Sequence, residues 1–106
     1  MKLTGNQIMY LLTIKSIGAQ KHVIRSVDVA DELDYSRASI HKMLITLKGM
    51  NLIKHDYYSA IQLTPLGSRT ANAYQKKYEA VKEALDGVID LPEGYCLGVC
   101  ELLELM

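Results

Sequence analysis

The sequence predicts a mainly α-helical fold with one small β-hairpin, which places the 106-residue chain in the α+β class. Two observations carry this prediction. Apolar residues recur at helical spacing in several segments, and side chains that can cap a helix precede those segments. Farther along, two short apolar runs flank a polar and aromatic tip, which is the pattern of a hairpin. The length suits one compact domain with an added arm.

Composition indicates where such a domain works. Apolar residues make up 49% and charged residues 23% of the sequence, as is ordinary for a soluble globular protein. No apolar run approaches the roughly eighteen residues of a membrane span, and the N-terminus lacks the cleavage site of a signal peptide. Two cysteines do not make a disulfide framework. We therefore expect a cytoplasmic protein.

The first helix is predicted to begin after Thr4. Gln7 follows three residues later, so the two side chains can cap each other's free backbone N–H groups. Gly18 is predicted to end the helix. The apolar residues at helical spacing between these points are Ile8, Leu11, Leu12 and Ile17.

A short second helix is predicted in "VDVADEL". Ser26 can cap it, and its inward face would carry Val29, Ala30 and Leu33. Residues 34–35 would then turn the chain.

A third helix is predicted from Ser36, which can cap it, to about Met50. Asn51 can adopt the left-handed conformation that closes a helix. Ile40, Leu44 and Leu47 recur at helical spacing and would face the core.

A hairpin and a fourth helix follow. The apolar runs 52–53 and 61–63 flank the tip "KHDYYSA", which is longer than a two-residue turn. Thr64 and Pro65 are a good cap and first-turn pair for the fourth helix, which should stop near Gly87. Its apolar face would consist of Tyr74, Tyr78, Val81 and Leu85.

The C-terminal stretch "LPEGYCLGVCELLELM" predicts a last helix that opens at Pro92. Its apolar residues spread around most of the circumference, so this helix needs cover on more than one side. We expect a second copy of the chain to supply that cover.

The order of these elements is that of a winged helix-turn-helix followed by a helical dimerisation arm. We place the DNA-binding domain at residues 1–65 and the arm at residues 66–106. Seven basic residues and one acidic residue give residues 35–77 a charge of +6, whereas one basic and seven acidic residues give residues 78–106 a charge of −6. The basic block favours contact with phosphates.

Two sets of residues are predicted to contact double-stranded DNA. In this motif the helix after the turn enters the major groove. The residues of the third helix (36–50) expected at the DNA are Ser36, Arg37, Ala38, Ser39, His41 and Lys42. Those of the wing (52–64) are Lys54, His55, Tyr57, Tyr58 and Ser59. Alternatively, the charged residues form a solvated helix face and the two wing tyrosines pack the hairpin.

Three stretches resemble the iron-dependent repressor family, the metalloregulators related to the diphtheria toxin repressor. They are "YLLTI", "VDVADEL" with "DYSRASIHKML", and "NLIKHDYYSAIQLTPLG". The resemblance covers residues 10–85, with a dimerisation arm shorter than the family's. It implies a homodimer that binds palindromic operators and represses genes of metal uptake. By position it implies DNA contact by Ser36, Arg37, Ala38, Ser39 and Lys42.

The family's metal ligands are largely unmatched. Met9 and Leu12 stand where the family has acidic ligands near the first-helix tyrosine. Lys77 or Tyr78 replaces a histidine on the helix after the wing, and "CELLE" only partly matches the Cys-x-x-Glu-His run. The resemblance implies a divalent metal, but these side chains do not supply the ligands of an iron or manganese site. We therefore assign no cofactor.

The two cysteines are the remaining candidates for a metal or redox site. Cys96 and Cys100 are four residues apart, so on a helix both thiols would face one way, and Glu93 or Glu104 could join them. Alternatively, both are small buried side chains at the dimer interface.

Together these features predict a homodimeric, sequence-specific DNA-binding transcriptional regulator, which the resemblance makes a repressor. The alternative is a winged-helix protein–protein interaction module whose apolar tail captures a partner. No nucleophile with a base, glycine-rich phosphate loop or set of paired carboxylates is evident in the sequence, so we do not expect an enzyme.

Overall fold

The computed structural model describes residues 2–55 and 60–106, and it confirms the predicted fold class. Most of the chain is helical, and the one sheet of the described part has two antiparallel strands. The elements, in chain order, are α1 Gly5–Gln20, α2 Ser26–Leu33, α3 Arg37–Gly49, β1 Ile53–Lys54, β2 Gln62–Leu63, α4 Pro65–Leu85 and α5 Leu97–Glu104.

The capping pair at the start of α1 is confirmed. The Gln7 N–H donates to Thr4 Oγ1 over 3.2 Å, and the Thr4 N–H donates to Gln7 Oε1 over 3.0 Å. The predicted end at Gly18 is wrong, because the helix continues to Gln20. A glycine weakens a helix without breaking it. Here it also leaves room for Ile24, whose Cδ1 would lie only 3.0 Å from a Cβ at position 18.

The cap of α2 lies one residue earlier than predicted. Ser26 is the first helical residue, and Arg25 occupies the cap position. Asp28 reaches back to accept a hydrogen bond from the Arg25 N–H over 2.9 Å, and it also pairs with Lys21. These partners lower the pKa of the Asp28 carboxyl below its usual value. The predicted inward face is correct, since Val29 and Ala30 are buried and Leu33 packs against the core.

The turn and the third helix agree with the prediction. Asp34 adopts the left-handed conformation at φ 55°, and Ser36 Oγ accepts the Ser39 N–H over 3.2 Å to cap α3. Met50 closes the helix, and Asn51 follows in the left-handed conformation at φ 62°. The helix is thus fixed at both ends by its own residues.

The hairpin is tied to both neighbouring helices. Ile53 pairs with Leu63, and Ile61 forms a further bridge with Ile24 in the loop before α2. Thr64 Oγ1 accepts the Gly67 N–H over 2.9 Å and donates to the Asn51 carbonyl over 2.7 Å. A Cβ at Gly67 would collide with the Leu52 carbonyl. The stretch "LTPLG" therefore fixes the wing against the start of α4.

The last helix is shorter and better covered than predicted. It begins at Leu97, not Pro92, and Gly94 in the preceding segment has a φ of +80°. The helix packs against α1 and α4 and buries Val99, Cys100 and Leu103 in the common core. The same chain therefore supplies cover that we had expected from a second copy.

No helix in the described part of the chain combines the length and apolarity needed to cross a membrane.

Candidate nucleic-acid interface

The buried face of α3 packs on the core and thereby fixes which side of the helix is exposed. Ile40, Leu44 and Leu47 are at most 2% exposed and hold the helix against the core. The predicted DNA-facing residues of this helix are all exposed: Ser36, Arg37, Ala38, Ser39, His41 and Lys42. The structure therefore groups them on the solvent side of the helix, most of them in its first turns.

Local bonds at the start of α3 order this surface. Ser36 Oγ donates to Ser39 Oγ over 3.0 Å, in addition to accepting the Ser39 N–H. The remaining free N–H groups and the positive end of the helix dipole are available to an anion. Such a surface suits a phosphate oxygen at the helix start, with Arg37 free to reach a base edge.

Two further residues of α3 extend this face and were missed in the sequence. Ile45, 58% exposed, lies one turn beyond His41, and Thr46 lies one turn beyond Lys42. The Thr46 hydroxyl donates to the Lys42 carbonyl over 3.1 Å. An apolar side chain on a helix that lies in the major groove can contact the methyl group of thymine. Both residues could have been identified in the sequence by continuing the helical spacing of His41 and Lys42 for one more turn.

The wing contributes a second basic surface. Lys54 is exposed and His55 is half-buried. Together with Lys48 and Gln62 they line a groove of about 530 Å³ between the end of α3 and the hairpin. Lys48 and Gln62 were not predicted. Tyr57, Tyr58 and Ser59 lie outside the described residues.

A larger groove, of about 790 Å³, runs along the other side of α3 and has walls of opposite charge. Ser39 and Lys42 line the α3 wall, while Glu101 and Glu104 line the α5 wall. Glu104 is held there because its Oε1 accepts the Gly5 N–H over 2.6 Å. Carboxylates at this edge oppose the approach of a phosphate from that side.

The two cysteines lie one turn apart at the start of α5, where the Cys100 N–H donates to the Cys96 carbonyl over 3.1 Å, and a shared metal or redox site at them stays a prediction. Cys96 is the residue before α5, and its N–H donates to the Tyr78 hydroxyl over 2.7 Å. Cys100 is buried in the core, where burial raises the pKa of its thiol to about 12. In the metal-free protein that thiol is therefore protonated at neutral pH, and a metal ion would have to displace its proton in order to bind it.

The positions at which the resemblance implies metal ligands also do not fit. Met9 and Leu12 are buried in the core, at 3% and 0% exposure. Within the described ranges, no three His, Cys, Asp or Glu side chains are close enough to hold one ion. Apolar side chains and a protonated thiol do not supply the oxygen and imidazole ligands that iron or manganese prefers. We therefore derive no metal-dependent step.

Comparison with known proteins supports the fold. No family model and no curated protein matches the sequence. The solved structure of T. acidophilum IdeR superimposes with a TM-score of 0.69 at 24% identity, over 80% of this chain and 40% of that one. The hypothetical protein SSo2273 from Sulfolobus solfataricus gives a TM-score of 0.64 at 20% identity, over 96% of this chain and 74% of that one. This chain thus spans about two fifths of the length of IdeR.

Proposed function

We propose that this protein is a sequence-specific DNA-binding transcriptional regulator that acts as a homodimer and represses its target genes. The observation that carries the proposal is the exposed, basic N-terminal face of α3 in a winged helix-turn-helix. Its fold is similar to that of T. acidophilum IdeR, and its sequence resembles the iron-dependent repressor family. The proposal includes a cytoplasmic location and no catalytic activity.

In this proposal α3 lies in the major groove of double-stranded DNA. Ser36 and the start of the helix bind a backbone phosphate, and Arg37 forms a two-pronged contact with guanine. Ser39 contacts a base edge, and Lys42 contacts the backbone on the next turn. The wing, through Lys54 and the groove beside it, lies on the adjacent backbone.

Dimerisation would place two copies of α3 on a palindromic operator. We assign this role to residues 66–106. Apolar side chains stay exposed in that region although α5 packs on its own chain: Val88, Ile89, Leu102, Leu105 and Met106. Val88 and Ile89 follow α4, whereas Leu102, Leu105 and Met106 lie at the end of α5, and exposed apolar groups of this kind favour contact with a second copy.

The same exposed residues favour a second candidate, a winged-helix module that binds another protein. This candidate does not need the basic face of α3. Loss of partner binding after substitution of Leu105, with no effect of substituting Arg37, would support it over the first.

Fluorescence anisotropy with a labelled duplex from the gene's own upstream region tests the proposal. The purified full chain should bind in the presence of a chelator, and affinity should fall steeply with salt because several phosphate contacts release counterions. A scrambled duplex of equal length is the control for sequence preference. Equal affinity for both duplexes, or no binding at low salt, would contradict the proposal.

A further inference from the structure

A smaller pocket lies between α1, α2 and the segment that leads into α5, and it adjoins the groove beside α3 because Tyr35 and Leu97 line both. Its volume is about 300 Å³. Helix α1 contributes Met9 and Thr13, α2 contributes Glu32, and residues 92–97 form much of the remaining wall. Tyr35, from the turn of the helix-turn-helix, also lines it. The pocket therefore joins the DNA-binding unit to the C-terminal segment.

The charge of this pocket is negative and uncompensated. Glu32 and Glu93 line it, and its described lining contains no Lys, Arg or His. Neither carboxylate forms an ion pair with another described residue. Glu32 Oε1 lies 3.7 Å from where a Cβ of Gly94 would be, so its carboxylate lies against the segment before α5. Two carboxylates without a counter-ion favour a cationic occupant.

A buried hydroxyl in the pocket also lacks a partner. Thr13 is 1% exposed, and its Oγ1 forms no hydrogen bond within the described part of the chain. An unsatisfied buried polar group destabilises the folded chain. A bound molecule that carries a hydrogen-bond donor would satisfy this hydroxyl. The unpaired hydroxyl is therefore an observation independent of the acidic charge.

Aromatic rings complete the lining. Tyr35 and Tyr95 both line the pocket, and the Tyr95 hydroxyl donates to Gln75 Oε1 over 2.6 Å, which fixes its ring. Ring faces attract organic cations. The carboxylates and Cys96 are not close enough to share one metal ion, as judged over the described residues. An ammonium group suits this arrangement better than a metal ion does. It donates several hydrogen bonds, and an N–O hydrogen-bond distance is longer than a metal–oxygen bond.

We propose that this pocket binds a small aliphatic amine in its ammonium form, and a diamine best, because two carboxylates line it. The ammonium groups pair with Glu32 and Glu93, one of them donates to Thr13 Oγ1, and the methylene chain lies against Met9 and the tyrosine rings. A bound amine joins α1 and α2 to residues 92–97 and thereby stabilises the folded chain.

Isothermal titration of the full chain with 1,4-diaminobutane at neutral pH and low salt tests this proposal. We expect saturable binding with one site per chain and a rise in melting temperature. The matched neutral compound 1,4-butanediol should not bind. Glu32→Gln and Glu93→Gln should each weaken binding at least tenfold, while Glu83→Gln, on the exposed face of α4, should leave it unchanged.

A Thr13→Val variant separates a ligand role from a purely structural one. It removes the unpaired hydroxyl, so melting temperature without ligand should stay equal or rise, while diamine affinity should fall. Circular dichroism verifies that each variant is folded. Equal binding of the diol, unchanged diamine affinity in both glutamine variants, or saturable binding of manganese with none of the diamine would overturn the proposal.

Discussion

Helix α3 and helix α5 differ in how the sequence specifies them. Ser36 caps α3, Asn51 follows its close, and its buried residues lie at regular spacing between these two points. Helix α5 instead depends on a contact across almost the whole chain, between the Glu104 carboxylate and the Gly5 N–H. The basic helix α3 is thus locally encoded, and the acidic helix α5 beside it is placed by tertiary packing.

The largest expected effect comes from breaking the packing of α5 on α1. Leu103 is 2% exposed and its neighbour Leu102 is 48% exposed. Leu103→Ala should lower the free energy of unfolding by about 2–5 kcal/mol, because it leaves a cavity in the core. Leu102→Ala should change it by about 0.5 kcal/mol or less. Urea denaturation at low protein concentration measures both, and equal small effects would show that α5 is not docked.

A smaller effect is expected from substitutions on the face of α3 that is predicted to contact base edges. Arg37→Ala should weaken specific DNA binding by about 1–3 kcal/mol and relax preference at one base pair. Arg37→Lys is the matched variant, because it keeps the charge and loses the planar fork. It should retain binding to scrambled DNA while losing the same base preference. Anisotropy titrations on both duplexes measure this, and unchanged affinity in Arg37→Ala would rule out the assigned face.

Two serines at the starts of α2 and α3 offer a matched comparison, because Ser36 caps its helix and Ser26 does not. Ser36→Ala should destabilise the protein by about 0.5–2 kcal/mol, because it removes an N-cap. Ser26→Ala should change the free energy of unfolding by about 0.5 kcal/mol or less, because the bond between Arg25 and Asp28 caps the start of that helix instead. Thermal denaturation without DNA compares the two. A larger loss from Ser26→Ala would reverse the assignment of these caps.

The smallest expected effect concerns the acidic α5 wall of the groove beside α3, which Glu101 and Glu104 line. Glu101→Gln keeps the shape that packs on Gly5 and removes one charge from the groove beside Lys42. DNA affinity should rise by about 0.4 kcal/mol if a phosphate lies about 10 Å away in water. The gain should vanish at high salt. Glu83→Gln, outside this groove, is the control, and an equal gain there would indicate only a general charge effect.

The sequence predicted most of what depends on near neighbours. Thr4, Ser36 and Thr64 were identified as caps because a cap bonds to a group within three residues. The start of α5 at Leu97 was missed, because Pro92 is a permissible first helical residue and only tertiary contacts decide otherwise.

The same distinction applies to the candidate site. Exposure of the α3 residues followed from helical spacing, and one more turn would have added Thr46. The acidic wall that Glu104 brings beside Lys42 could not be predicted, because these residues are 62 positions apart and meet only in the folded chain. The burial of Cys100, which raises its pKa, likewise follows from the docking of α5.

The salt dependence of DNA binding in two lysine variants tests the central claim most directly. Lys42 lies on α3 beside the predicted reading residues, whereas Lys82 is exposed in the last turn of α4. If Lys42 contacts a phosphate, Lys42→Ala should reduce the slope of log affinity against log salt by about 0.9. Lys82→Ala should leave the slope unchanged. Equal slopes in both variants and the unmodified protein would contradict the assignment of α3 as the DNA-binding helix.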